Sequence, residues 1–87
     1  MILIIDLSKK EIELVLKQGI KKIASYKWIG LYQLSETLIP KIDKFLKRNK
    51  IKLDDLKKIE VIPSEESMVG TRIAKAVALG LKIDKDI

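Results

Sequence analysis

The apolar residues of this chain change their spacing once, and that change limits what the chain can fold into. Early on, Ile12, Leu14 and Leu16 alternate with charged or small neighbours, the period of two that sets one side of a strand against a core. From Leu34 the interval lengthens. Leu34, Leu38, Ile42, Phe45 and Leu46 fall on one face of a helix, with Lys41, Lys44, Lys47 and Arg48 away from it. Strands followed by a helix within 87 residues predict one small mixed α/β (α+β) domain. Such a domain buries only about 60% of the surface its unfolded chain exposes, so its stability is modest.

The rest of the chain completes the pattern. "MILIID" reads as a first strand, "LSKK" as a turn and "EIELVLK" as a second strand. "QG" turns the chain again into "IKKIASYKWIG", a third strand closing at Gly30, which makes a three-stranded meander. Ser35 is the N-cap candidate for the helix that follows, and Pro40 falls about a turn inside it, tolerated near the start or marking a kink. "LDDLKK" reads as a brief helical turn. "IEVIP", apolar on both faces, reads as a central fourth strand parallel to the first. A last helix is predicted from about Met68 to Leu81, with "KIDKDI" trailing off.

Composition narrows the chemistry. With no cysteine and no histidine, disulfides, thiolate zinc sites and imidazole acid/base catalysis are excluded. No metal or cofactor is expected. "MILII" ends at Asp6, too short for a signal-peptide core or for the roughly 20 apolar residues of a membrane span, so the expectation is a soluble cytoplasmic protein. The formal charge of +6 comes from lysines scattered from Lys9 to Lys85 among acids, which reads as a solvated surface rather than a concentrated nucleic-acid patch.

The order β-β-β-α-β-α is the first part of a ribonuclease H-like unit, the building block of actin-like ATPases, with a mixed sheet and two helices. A complete unit continues into a fifth strand and another helix. Three stretches then resemble the N-terminal lobe of the TsaB (YeaZ) family, the non-catalytic partner in bacterial tRNA threonylcarbamoyladenosine synthesis. "MILIIDLS" keeps Asp6 and Ser8 of a strand ending Asp-Thr-Ser, with Leu7 where Thr is usual. "LSETLIPKID" resembles a His-Ser-Glu-x-x-x-Pro-x-Ile helix through Ser35, Glu36, Pro40 and Ile42, with Leu34 replacing the His. "SEESMVGTRIA" retains Ser67, Gly70, Arg72 and Ile73 of a Gly-Pro-Gly-Ser-Phe-Thr-Gly-x-Arg-Ile-Gly stretch, and Gly80 and Leu81 also fit. The resemblance covers nearly all of residues 1–87, read as a single truncated lobe, and a third to a half of a family member.

At the family's phosphate-loop glycines this chain has Ser64 and Glu66, with Glu65 in place of the proline. Two carboxylates repel an anion that backbone amides would otherwise hold. Asp6, Ser8 and Ser67 are therefore read as remnants of a degenerate phosphate site, with Asp6 capping its turn.

The resemblance implies docking through the two helices, onto a TsaD-like catalytic subunit or a second copy. Gly70, Ala74 and Ala78 repeat every four residues as a small-residue stripe, beside a ridge of Ile73, Val77 and Leu81. The predicted interface comprises Leu38, Ile39, Ile42 and Leu46 of the first helix with Gly70, Ile73, Ala74 and Val77 of the second, and Ala74→Arg is expected to abolish association while the chain stays folded. The implied function is a non-catalytic scaffold or activator of a TsaD-like transferase, meeting tRNA through the complex. The alternatives are a homodimeric interaction module and a basic tRNA-binding module.

Other candidates read more simply. Paired acids at Asp54 and Asp55, and at Glu65 and Glu66, are solvated surface rather than a magnesium or two-carboxylate site. Trp28, with Tyr26 and Tyr32, forms sheet-edge packing or a stacking platform for RNA bases. Arg72 is a candidate for a partner salt bridge or a tRNA phosphate.

Overall fold

The computed structural model describes residues 1–86, and side-chain surroundings as far as Leu81. Its elements are β1 (Ile2–Asp6), β2 (Ile12–Gln18), β3 (Lys21–Trp28), a 3-10 turn (Leu31–Gln33), α1 (Leu34–Arg48), a second 3-10 turn (Leu53–Asp55), β4 (Lys58–Ile62) and α2 (Met68–Asp86). The strands form one mixed sheet in the order β3-β2-β1-β4, antiparallel except where β1 meets β4. This is the predicted β-β-β-α-β-α architecture.

Alternation sets the register. Leu3 faces Leu16 and Ile5 faces Leu14 across β1 and β2, so all four emerge on one side of the sheet. A two-residue loop joins β2 to β3, and Gly19 supplies its φ of 63° at the first loop position, as a type II′ turn requires. Both helices lie on the side of Leu3 and Ile5. There Leu34, Leu38, Ile42, Phe45 and Leu46 of α1 join Ala74 of α2 in one core with Leu3, Ile5, Ile12, Leu14 and Leu16. The other side carries Ile2, Ile4 and Val15, each half-buried and covered by neither helix.

α1 ends in a Schellman motif. Lys50 adopts φ 57°, its amide donates to the Lys47 carbonyl at 3.1 Å, and the Ile51 amide donates to the Leu46 carbonyl at 2.9 Å. Ile51 then packs against the core.

Three local expectations change. β4 is an edge strand, not a central one, for among the described residues its hydrogen-bonded neighbour is β1 alone. Its Ile59 and Val61 are half-buried and Ile62 is exposed, so apolar residues on both faces do not require neighbours on both edges. Ser35 is not the N-cap: the 3-10 turn runs straight into α1, Gln33 takes that place without a side-chain cap, and Ser35 is already inside the helix. α2 continues to Asp86 instead of ending near Leu81. Pro40 stands within α1, and the carbonyl it leaves without an amide is that of Glu36, on an exposed turn where water can serve it.

Candidate functional site

The loop between β4 and α2 is organised by its own side chains. The Ser64 amide donates to Thr71 Oγ1 at 3.0 Å, the amides of Glu66 and Ser67 both donate to Ser64 Oγ at 3.1 and 3.2 Å, and the Gly70 amide donates to Ser67 Oγ at 2.9 Å. Amides that a phosphate would need are thus already bonded within the loop. Ser67 acts as the N-terminal cap of α2. Ser64 and Thr71, which sequence reading passed over as organisers, hold the loop together, and their signal was the spacing of hydroxyl residues around the helix start.

Opposite this loop stands the β1–β2 turn. Asp6 is buried, and its Oδ1 accepts both the Ser8 amide at 2.9 Å and the Ser8 hydroxyl at 2.6 Å, so it caps the turn as the sequence indicates. Its cross-strand partner Glu13, equally buried, is met by Lys9 and Lys22 at 3.5 Å each. A cleft of about 270 Å³ separates turn from loop, lined by Leu7, Ser8, Lys9 and Lys10 on one side and Ser64, Glu65 and Glu66 on the other. Asp6, Ser8 and Ser67 therefore serve turn and cap.

The helix pair presents a different surface from the predicted one. Leu38, Ile42, Leu46, Gly70 and Ala74 are buried in this chain's own core, and Ile73 and Val77 are half-buried against it. The physical reason is that both helices cover one side of a four-stranded sheet. Ala74 lets α2 lie close to the strands, Gly70 meets Leu31 of the 3-10 turn and Ser67, and all three residues of the stripe Gly70, Ala74 and Ala78 are buried. Of the predicted set, only Ile39 is freely exposed, at 55%. On α2 the exposed large apolar residues are Met68, Val69 and Leu79, at 72%, 68% and 62%, and Ala76 and Gly80 are exposed at helical spacing from Val69, with Ile73 on their flank. The same wheel that picked the inner stripe contains this outer one of Val69, Ala76 and Gly80, displaced by about 140° around the helix.

On the other flank of α1, Lys41 Nζ donates to the Tyr26 hydroxyl at 3.2 Å and sits 5.3 Å from the Tyr26 ring centre and 5.9 Å from that of Trp28. Arg48 approaches the Tyr26 ring at 5.9 Å. Tyr26 and Trp28 contact one another with centroids 5.8 Å apart and pack against the core margin. Tyr32 stands exposed on the 3-10 turn.

The remaining candidates are surface groups. Asp54 and Asp55 are exposed, and Asp55 Oδ2 accepts the Lys52 amide at 2.9 Å. Glu65, Glu66 and Arg72 are exposed, and among the described residues no three carboxylates converge on a common point. No helix among them is long and apolar enough to cross a membrane.

Neither a family model nor a curated protein matches the chain. Solved structures do. YeaZ from Pseudomonas aeruginosa is similar with a TM-score of 0.80 at 21% identity, covering 98% of this chain and 39% of that one. A crystal structure described as an uncharacterized protein with similarity to peptidase YEAZ from Pseudomonas aeruginosa matches with a TM-score of 0.79, at the same identity and coverage. The chain thus has the fold of part of YeaZ and spans about two-fifths of the length of these structures.

Proposed function

We propose that this chain is a TsaB-like, non-catalytic subunit that docks onto a TsaD-like transferase in tRNA threonylcarbamoyladenosine synthesis. The observation that carries the proposal is the outer strip of the helix pair. Ile39 of α1 and Val69 of α2 stand mostly in solvent, and Ala76 and Gly80, at helical spacing from Val69, keep the α2 surface low. Small residues let a partner helix approach closely, while Ile39 and Val69 supply apolar anchors. The likeness of the fold to YeaZ supports the choice of partner.

The subunit's contribution is positional. A surface that binds one conformation of the transferase better than another shifts the transferase toward it, with no chemistry in the subunit itself. The β4–α2 loop, whose amides are bonded internally, fits a chain that leaves nucleotide chemistry to its partner.

Light scattering on a sizing column tests this, using the chain alone and mixed with the TsaD-like protein of the same genome at low and high salt. The expected result is a salt-resistant heteromeric complex that Val69→Arg and Ile39→Arg each disrupt. A self-associated species that ignores the transferase supports the homodimeric module instead. No complex under any condition refutes docking.

A further inference from the structure

We infer that the flank of α1 facing β3 is a binding site for the phosphodiester backbone of a single-stranded nucleic acid. Lys41, Lys44 and Arg48 follow at one-turn spacing along this flank and occupy about 10 Å of helix. On a strand with one charge per roughly 3.4 Å, that is the span of two to three phosphates.

None of the three has a carboxylate partner among the described residues. Asp43, which stands between Lys41 and Lys44 in the sequence, is paired with Lys47 at 3.0 Å. Two of the cations are also held in place: Lys41 by the Tyr26 hydroxyl and both aromatic rings, and Arg48 by the Tyr26 ring. A lysine ammonium offers three donors and an arginine five, so the rings fix the charges while leaving most donors open to an acceptor. Holding the side chains beforehand lowers the ordering cost of binding.

Between them lies a notch of about 30 Å³, lined by Tyr26, Lys41, Lys44, Phe45 and Arg48. It is too small for a base and suits an anionic oxygen, set on an apolar floor where the attraction to the three cations is less screened. Tyr32, exposed on the turn just after β3, gives a neighbouring base a ring to stack on. Cations without acids, spaced along a backbone and adjoined by aromatics, favour a polynucleotide over an acidic protein. The site lies on the opposite flank of α1 from Ile39, so it stands apart from the docking proposal.

The test is titration of fluorescein-labelled oligouridylate, twelve nucleotides long, into the chain, read by anisotropy and by emission of Trp28, the sole tryptophan. The variant Lys44→Glu/Arg48→Glu is compared with Lys57→Glu/Lys75→Glu, which changes net charge equally at exposed positions elsewhere. The expected result is at least an about tenfold greater loss of affinity in the first pair, with the log–log salt slope falling by about 1.4 for two lost phosphate contacts. The change in Trp28 emission should vanish with it. Equal losses in both pairs overturn the site and leave only net charge. Competition by inorganic phosphate at the same phosphate concentration overturns the polynucleotide reading in favour of a free anion site, and absence of binding by the unmodified chain overturns both. Circular dichroism of each variant guards against loss of fold.

Discussion

Ser67 Oγ accepts the Gly70 amide at 2.9 Å and lies 3.1 Å from the point where a Cβ on Gly70 would stand. The cap and the glycine are fitted to each other, with Leu31 Cδ1 closing the space at 3.0 Å. Removing the cap in Ser67→Ala should cost about 1 kcal/mol. Gly70→Ala gains helix propensity but meets Oγ and Leu31. It should therefore be better tolerated once Oγ is gone, by roughly 0.5 kcal/mol in a double-mutant cycle. Urea denaturation of the four proteins measures this, and strict additivity would show that the contact with Oγ carries no energy.

Lys50 holds the left-handed position of the Schellman motif, where a side chain is penalised. Lys50→Gly should raise stability by about 1 kcal/mol, because strain relief there exceeds the entropy that glycine adds to the unfolded chain. Thermal unfolding followed by circular dichroism decides the sign, and a lower midpoint contradicts the strain.

Ala74 is fully buried between α2 and the sheet, whereas Ile39 stands in solvent. The sequence-derived expectation that Ala74→Arg spares the fold is therefore reversed: a guanidinium there overpacks the core and lacks an ion partner, costing at least about 3 kcal/mol. A domain of this size has only about 4 to 13 kcal/mol in hand. Ile39→Arg should leave the far-ultraviolet spectrum and the unfolding midpoint nearly unchanged. Similar spectra and midpoints for both variants would mean that α2 does not press on the strands as described.

The amides of Ser64, Glu66, Ser67 and Gly70 are spent on hydroxyl oxygens, and Glu65 and Glu66 project beside them. Magnesium ATP at about 1 mM should shift the unfolding midpoint by less than about 1 °C, since a ligand stabilises only through binding to the native state. A shift of several degrees, lost in Glu66→Arg or Ser67→Ala, would show that the loop opens to take a phosphate.

Much of the fold is legible in the sequence because one period governs each segment. Ile12, Leu14 and Leu16 had to share a face, and Leu34 through Leu46 had to line one side of a helix. The position of β4 was not legible, because "IEVI" reads alike at an edge and at a centre when one of its faces meets a helix. Nor was the division of the helix surfaces. Gly70, Ala74 and Ala78 have the spacing of a docking stripe, yet small residues serve equally well where a helix lies on its own sheet. Deciding between them requires knowing that both helices share one side. The Lys41, Tyr26 and Arg48 cluster escaped for another reason: it joins residues far apart in sequence, brought together only when α1 settles beside β3.

Ile4 pairs with Val15 across a single turn and with Glu60 across most of the chain. That contrast sets an order in time. The antiparallel strands close short loops at little entropic cost, whereas β4 cannot add to β1 until a far longer loop has closed. The meander should therefore assemble first, and β4 and α2 should arrive last, sealing an apolar surface that has waited for its second cover. Pulse-labelled hydrogen exchange during refolding should find the β2 and β3 amides protected before those of β4, and simultaneous protection would mean that the sheet forms in one event.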